Sequence, residues 1–438
     1  MSEAPIKAVI VGAGNRGTGY SNYALSHPEA LQIIGVVDPS ALRREVASEK
    51  FNIPPTQVFK SVSELLEKPK IADVVINGTM DLDHVSTSLP LLSSGYDILL
   101  EKPFATSETE MWELIKKSRQ HKRKLMICHV LRYSPFYRMI KERVADGQIG
   151  TIINIQTNEH VSYHHMAVAF VRGKWRSKLE SGSSMLMAKC CHDLDLIMWM
   201  KSGINPKTVA SFGSNKQFRP ENAPPGAGTR CLVDCTIESD CLYSARKHYI
   251  DKPDRWKFYV WESDVFNNIL YRDRPTQSDR IEQLKSSDYG RCVWDFDNDI
   301  VDHQSVIIEF EDGSTATHNM VGGSARPARN IHILGTTGEI LGVFEDSKFV
   351  VRKIDPGPNR DYSEEIVDLN IQGDIDGSHG GHGGGDQRLI EDFVRFVKGY
   401  PPSISCSSIE DSINSHLVGF KADQSMEERR IVTIEPSL

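Results

Sequence analysis

A glycine-rich turn near the start of the chain constrains its fold more than any other stretch. The apolar run Lys7–Val11 leads directly into Gly12-Ala13-Gly14-Asn15-Arg16-Gly17, a Gly-x-Gly-x-x-Gly pattern. A second apolar run ends at Asp38, about 20 residues beyond the last glycine. This spacing predicts a strand, a tight turn and a helix whose N-terminus binds the pyrophosphate of a dinucleotide, with Asp38 accepting hydrogen bonds from a ribose. The alternative is a flexible turn that binds nothing.

Strand and helix signals alternate through the first third of the chain, which predicts an α/β fold with a doubly wound parallel sheet. Beyond residue 150, longer strands with hairpin turns predict a mainly antiparallel sheet. The length of 438 residues favours two domains, with a boundary near residue 130. The predicted strands of the first domain cover residues 6–11, 31–37, 72–77 and 96–100, and the predicted helices cover 15–26, 40–51 and 84–94.

Composition excludes several classes of partner. Hydrophobic residues make up 39% of the chain and charged residues 25%, and the formal net charge of −8 disfavours binding to nucleic acids or acidic membranes. No run of about 18 apolar residues occurs, and we expect a cytoplasmic protein. The eight cysteines are expected to remain thiols. We predict no metal site, because neither Cys231, Cys235 and Cys241 nor the pair His379 and His382 has typical ligand spacing.

Lys102 is the first residue with predicted chemistry. It follows the strand 96–100 in Glu101-Lys102-Pro103, which places it at the carboxyl edge of the parallel sheet, where ligands bind in this architecture. There its ammonium could hold a substrate hydroxyl, stabilise a developing alkoxide or act as a base. A plain surface lysine is the alternative.

His192 is the second residue with predicted chemistry. Removal of a hydride from a secondary alcohol requires a base for the hydroxyl proton, and histidine titrates near neutral pH. His192 lies near the start of a helix predicted over residues 190–200, where Asp193 or Asp195 could orient its ring. In the alternative, His192 is a structural residue that caps this helix.

Together these motifs resemble the Gfo/Idh/MocA family, which includes glucose-fructose oxidoreductase and inositol 2-dehydrogenase. The resemblance covers nearly the whole chain. It implies an N-terminal NAD(P)-binding Rossmann domain over residues 1–130, and a C-terminal α/β domain over 131–438 with an open antiparallel sheet for substrate binding and oligomerisation. It also implies sugar or cyclitol substrates and homo-oligomers, often dimers or tetramers. The matching pieces are the glycine pattern, Asp38, Asn77-Gly78-Thr79 with His84, Glu101-Lys102-Pro103, Arg132 in His129-Val130-Leu131-Arg132-Tyr133, and His192 in Cys191-His192-Asp193-Leu194-Asp195.

The resemblance makes Lys102 and His192 the expected catalytic residues. NAD is the expected cofactor because Asp38 would repel a ribose 2′-phosphate, although Arg43 and Arg44 leave NADP open. The cofactor-binding residues are expected to be Gly12, Gly14, Asn15, Arg16, Gly17, Asp38, Asn77, Thr79, His84, Glu101 and Lys102. Groups suited to hydroxyl or carboxylate recognition make the substrate-binding candidates Arg132, His164, Trp175, Arg176, Lys189, His192 and His382.

One position departs from the family pattern. Many dehydrogenases of this family place an aspartate four residues before the histidine, where this chain has Ala188, followed by Lys189. The leading hypothesis is an NAD(P)-dependent oxidoreductase that acts on a sugar, sugar acid, cyclitol or related polyol. Two alternatives stay open: an enzyme that cleaves glycosides through transient oxidation and elimination, and a non-enzymatic regulatory protein that responds to a dinucleotide.

Overall fold

The chain forms two units, neither of which is continuous in sequence. The computed structural model describes residues 4–252, 256, 260, 276–369 and 384–435. The sequence boundary near residue 130 remains a prediction, and packing adds C-terminal segments to the first unit. The first unit contains Met1–Asp146, Met198–Met200 and Gly380–Phe420, and the second contains Gly147–Ile197, Lys201–His379 and Lys421–Leu438.

A parallel sheet forms the centre of the first unit. Its strands are β1 (Ile6–Val11), β2 (Leu31–Val37), β3 (Val58–Phe59), β4 (Val74–Asn77), β5 (Asp97–Leu100) and β6 (Leu125–Ile127). They lie in the order β3-β2-β1-β4-β5-β6, and every neighbouring pair is parallel. This order confirms the predicted doubly wound sheet, and it reverses between β1 and β4, where such sheets bind ligands at their carboxyl edge.

The helices of both units begin and end close to most of the predicted positions. The predicted helix over 15–26 is divided at Asn22, whose N–H is shared between the carbonyl oxygens of Thr18 and Gly19. Among the described residues, no helix is both long and apolar enough to cross a bilayer. The helices are α1 (Asn15–Ser21), α2 (Tyr23–Ser26), α3 (Ala41–Phe51), α4 (Val62–Leu66), α5 (His84–Ser93), α6 (Glu108–His121), α7 (Pro135–Ala145), α8 (Tyr163–His165), α9 (Lys178–Ser181), α10 (Met185–Met200), α11 (Gln277–Ser286), α12 (Gly385–Lys398) and α13 (Ile409–Glu428).

A nine-stranded sheet forms the second unit. Its strands are β7 (Ile152–Ser162), β8 (Pro206–Ser214), β9 (His303–Phe310), β10 (Thr315–Ser324), β11 (Ala328–Gly335), β12 (Gly338–Val343), β13 (Lys348–Ile354), β14 (Tyr362–Asp368) and β15 (Val432–Thr433). The order is β14-β13-β12-β11-β7-β10-β9-β8-β15. β7 and β10 pair in parallel, and the other neighbours pair antiparallel. The predicted, mainly antiparallel sheet is therefore confirmed.

The two faces of this sheet differ in burial. Alternate residues such as Ile155, Ile308 and Ile331 are at most 2% exposed, whereas Phe212 and Ile307 on the opposite face are more than half exposed. Because successive side chains of a strand point to opposite faces, one face packs in the core and the other is open.

Helix α10 begins earlier than predicted. It starts at Met185 rather than at residue 190, because the Ser184 hydroxyl accepts a hydrogen bond of 3.2 Å from the Met187 N–H and caps the helix. Ser184, followed by an apolar run, is a start signal that the prediction overlooked. His192 therefore lies in the interior of α10, and the hypothesis that it caps the helix is wrong.

A glycine-to-alanine pair in α1 tests the packing of the first unit. Gly17→Ala should lower the free energy of unfolding by about 2–3 kcal/mol, because the new Cβ would lie 2.2 Å from the Gly12 carbonyl oxygen. Gly19→Ala should raise it by about 0.5–1 kcal/mol, because among the described residues its Cβ meets no atom within 4 Å. Urea unfolding followed by circular dichroism measures both, and a Gly17→Ala variant as stable as the wild type would contradict the close packing.

Candidate functional site

Three glycines bring two loops into direct contact at the carboxyl edge of the first sheet. Gly12, which follows β1, has φ +81°, and a Cβ on it would lie 2.7 Å from the Gly78 carbonyl carbon and the Thr79 nitrogen. A Cβ on Gly78 would lie 2.7 Å from the Gly17 nitrogen. Side chains at these positions would therefore separate the loops that follow β1 and β4.

Gly14 differs from these three glycines, because a side chain at this position would not collide with the backbone of a neighbouring loop. Among the described residues, a Cβ at Gly14 would approach only the Arg43 guanidinium, at 3.7 Å. The backbone of α1 begins at the neighbouring Asn15, so its first N–H groups have no partner within the helix. Open space beside a helix N-terminus fits the pyrophosphate of a dinucleotide.

Asp38 shapes the glycine loop as well as facing it. Its carboxylate is 2% exposed and accepts hydrogen bonds from the Ala13 N–H at 2.8 Å and the Ser40 N–H at 2.9 Å. Arg43 Nη1 lies 3.9 Å from Asp38 Oδ2, and Arg44 donates to the Asp38 carbonyl oxygen at 2.6 Å. A carboxylate has about four acceptor sites, so Asp38 can still accept from a ribose hydroxyl.

The predicted cofactor residues after β4 hold one another in place. Asn77 donates to the Thr87 and Ser88 hydroxyls at 2.9 and 3.0 Å, and its Oδ1 accepts from the Thr79 hydroxyl at 2.8 Å. His84 places Nε2 3.1 Å from the Thr79 carbonyl oxygen and Nδ1 2.7 Å from the Pro103 carbonyl oxygen. His84 therefore joins the loop after β4 to the segment that contains Lys102.

A buried ion-pair network positions the backbone of Lys102. Glu101 accepts from Arg16 Nε at 2.9 Å, from the Tyr20 hydroxyl at 2.6 Å and from the Lys102 N–H at 2.6 Å. Arg16 also pairs with Asp386 at the start of α12, at 2.9 Å. Burial opposes the ionisation of Glu101, but the charges of Arg16 and Lys102 outweigh it and hold the pKa of Glu101 below its usual value. Lys102 itself follows β5, at the predicted edge of the sheet.

A second buried charge cluster lies under α10 in the second unit. Glu159 on β7 is 3% exposed, and its carboxylate lies 3.3 Å from Lys189 Nζ and 2.7 Å from Arg329 Nε. Arg329 on β11 also lies 3.3 Å from Asp193 Oδ1, and its backbone N–H donates to Glu345 at 2.6 Å. The cluster compensates the charge of Lys189, the residue beside the unusual Ala188.

Burial and neighbouring charges shift the pKa values of two groups in this cluster. Burial raises the pKa of Asp193 to about 7; Arg329 opposes the shift and Glu159 adds to it. Burial lowers the pKa of His318 to about 4, which keeps its ring neutral. Asp193 Oδ1 pairs with Arg329, and Asp193 Oδ2 has no hydrogen-bond partner among the described residues. The hypothesis that Asp193 orients His192 through a hydrogen bond is therefore wrong, and the one for Asp195 remains a prediction.

Two of the predicted substrate-binding arginines bind within the protein. Arg132 is 2% exposed, and it donates to the carbonyl oxygens of Cys406 at 3.0 Å and Asp411 at 3.2 Å. Arg176 pairs with Asp288 at 2.6 Å and with Glu180 at 3.2 Å. These contacts favour structural roles for both arginines. That either one binds substrate remains a prediction.

His164 lies at a cavity in the second unit. The cavity has a volume of about 390 Å³, and its walls include Tyr163, His164, Lys247, His248 and Trp256. The Trp256 indole N–H donates to His164 Nδ1 at 3.2 Å, which leaves Nε2 to carry the proton of a neutral ring. Trp175 packs beside Phe170, with ring centroids 6.0 Å apart. His382 lies outside the described residues.

Glu159 and Arg329 were not found from the sequence. Glu159 occupies an inward position of β7, between Thr157 and Val161, where the strand pattern would place an apolar residue. A carboxylate at such a position is a signal of a buried partner. The partner cannot be identified without the sheet, because Arg329 lies on β11, far along the chain.

Two stretches of the chain match the models of one family. Residues 6–129 match the model described as "Oxidoreductase family, NAD-binding Rossmann fold", and residues 141–434 match "Oxidoreductase family, C-terminal alpha/beta domain". The chain belongs to the Gfo/Idh/MocA family. The predicted resemblance is thereby confirmed, and residues 6–129 are the NAD-binding Rossmann domain of an oxidoreductase.

Relatives of this Gfo/Idh/MocA protein match along most of its length. YteT of Bacillus subtilis (strain 168), named as an oxidoreductase, is 25% identical over 373 residues, which cover 82% of this chain and 81% of YteT. The WlbA dehydrogenase of Chromobacterium violaceum, crystallised with NADH and UDP-GlcNAcA, has a TM-score of 0.64, 15% identity and coverage of 100% of this chain and 98% of that one. Apo scyllo-inositol dehydrogenase from Lactobacillus casei has a TM-score of 0.64, 16% identity and 99% coverage of both chains. The two solved structures share the fold.

Asp38→Ser tests the cofactor preference of this Gfo/Idh/MocA protein. The substitution should weaken NADH binding about tenfold or more, because it removes a charged acceptor, and it should narrow the gap between NADH and NADPH, because Arg43 would remain near a 2′-phosphate. Calorimetric titration measures both affinities. Asp73→Ser is the matched control, since among the described residues the Asp73 side chain bonds only the Lys7 N–H in β1. Unchanged NADH affinity in Asp38→Ser would contradict the assignment.

Proposed function

We propose that this protein transfers a hydride between NAD(H) and a carbinol carbon of a sugar, sugar acid, cyclitol or related polyol. The observation that carries the proposal is the Glu101 network, which holds the backbone of Lys102 beside the NAD-binding glycine loop through Arg16. A cation held at this edge of the sheet suits the stabilisation of an alkoxide next to a bound nicotinamide.

The residues have separate roles in the proposed reaction. Bound NAD supplies the hydride acceptor. Lys102 holds the substrate hydroxyl and stabilises the negative charge that develops on its oxygen. His192, held in the interior of α10, accepts the hydroxyl proton during oxidation and returns it during reduction. Asp38 favours NAD over NADP.

Lys189 directly follows Ala188, which occupies the position where many dehydrogenases of this family have an aspartate. Its ion pair with Glu159 supports a positioning role, because Nζ lies 3.3 Å from a carboxylate that is buried on β7. We propose that Lys189 fixes α10 on β7 and leaves the proton transfer to His192.

Substitution of the two proposed catalytic residues tests the chemistry. His192→Asn should lower kcat about 10²- to 10⁴-fold, the usual contribution of a general base, while the affinity for NADH stays within twofold. Lys102→Met should lower kcat/KM about 10²-fold or more, the usual effect of losing an oxyanion partner. NADH absorbance measures turnover across a panel of free polyols and sugar acids.

His121→Asn, at the end of α6, is the matched control and should turn over like the wild type. The panel should also contain nitrophenyl glycosides. Release of nitrophenol that requires bound NAD but leaves no net NADH would support the glycoside-cleaving alternative instead. Wild-type levels of turnover in His192→Asn would reject the proposed base.

We also propose a homo-oligomer that forms through the open face of the nine-stranded sheet. Across this face, Phe212, Ile307 and Ile366 are 69%, 52% and 65% exposed, and the strand registers place Ile307 and Ile366 in one cross-strand row. An open sheet face that carries several large exposed apolar side chains suits a protein interface.

Light scattering after size exclusion tests the assembly. Ile307→Lys should shift the mass towards the monomer, because it buries a charge in the proposed interface. Leu179→Lys is the control, since Leu179 on α9 is 86% exposed and lies outside the sheet. A monomeric wild type, or an unchanged mass for Ile307→Lys, would contradict this interface.

A further inference from the structure

Three buried side chains with metal-ligand chemistry converge between α10 and the second sheet. Cys190 and Asp193 are three residues apart on α10, so they share one face of the helix, and His318 lies on β10. Their exposed fractions are 0%, 2% and 0%. One ligand atom from each lies within 4.8 Å of the other two. The proposed function uses none of these three groups.

The hydrogen bonds of His318 indicate which ring nitrogen faces this point. Nδ1 lies 2.9 Å from the Thr157 hydroxyl oxygen, and that hydroxyl donates to the Thr317 carbonyl oxygen at 3.4 Å. The Nδ1–H therefore donates to Thr157, which leaves a lone pair on Nε2. This outer contact, which fixes the ring and its tautomer, is typical of a metal-binding histidine.

Two buried acceptors then face one small space. Among the described residues, His318 Nε2 and Asp193 Oδ2 have no hydrogen-bond partner. Buried polar atoms without a partner are rare in folded proteins, because each loses its hydrogen bonds to water and gains none in return. Two lone pairs cannot satisfy each other, so the space between them suits a proton on Asp193 or a bound cation.

The charges around this space also call for a cation. In their ionised forms, the carboxylates of Glu159, Asp193 and Glu345 carry three negative charges against the two positive charges of Lys189 and Arg329. One formal negative charge is left, which a bound cation would offset.

We propose that Cys190 Sγ, Asp193 Oδ2 and His318 Nε2 bind one Zn²⁺, with a water molecule as the fourth ligand. Thiolate and imidazole donors select zinc over magnesium or calcium. Binding releases to solvent the proton of the thiol and that of any protonated Asp193 carboxyl, and it involves no change of oxidation state. The ion fixes α10, which carries His192, onto β10. The site does not depend on the proposed reaction, and it goes beyond the sequence analysis, which predicted no metal.

Metal analysis of the whole chain, purified without a histidine tag, tests the proposal. The wild type should contain about one zinc per chain. After exchange into Co²⁺ it should show the near-ultraviolet charge-transfer band of a thiolate ligand and the visible bands of a four-coordinate site. Cys190→Ser and His318→Gln should each lower the metal content about tenfold. Cys191→Ser, which changes the adjacent cysteine, should retain it.

Thermal unfolding gives a second readout that does not require activity. Chelation should lower the Tm of the wild type and zinc should restore it, because binding to the folded state alone stabilises that state. Neither treatment should change the Tm of Cys190→Ser. Absence of zinc together with absence of the cobalt charge-transfer band in the wild type would overturn the proposal even if both variants fail to fold. Metal retained in both variants would also overturn it.

Discussion

The close contact between the loops that follow β1 and β4 is the constraint on which the first unit depends. Gly12, Gly17 and Gly78 provide it, because a side chain at any of them would collide with backbone at 2.2–2.7 Å. Once these loops touch, the start of α1 lies beside the end of β4. His84 in turn joins the loop after β4 to Pro103 after β5. The geometry of this edge of the sheet therefore depends on the absence of three Cβ atoms.

Much of the fold and part of the site could be predicted from the sequence, because local patterns encode them. The glycine spacing identified β1, its turn and Asp38, and the strand before Glu101 located Lys102 at the edge of the sheet. Contacts that join distant elements could not be predicted. Nothing local to Glu101 indicates Arg16 as its partner, and nothing local to Glu159 indicates Arg329.

The start of α10 illustrates a different kind of error. The prediction relied on apolar periodicity after residue 190, and it gave too little weight to Ser184 as a cap. Lys189 and Cys190 lie within the helix, where burial depends on the sheet beneath it. Periodicity identifies the apolar face of a helix. A charged residue interrupts that pattern in the same way whether it is buried within the helix or precedes the first turn.

The order of segments in the first unit has a consequence for biosynthesis. Leu389, Ile390 and Phe393 of α12 belong to the same apolar cluster as Ile10 and Met126. A ribosome that has completed the six parallel strands has not yet made α12, so this apolar surface stays uncovered while most of the second unit is translated. Nascent chains with such surfaces are prone to aggregation and are typical clients of chaperones. Truncation before α12 would leave the nucleotide-binding unit permanently in that state.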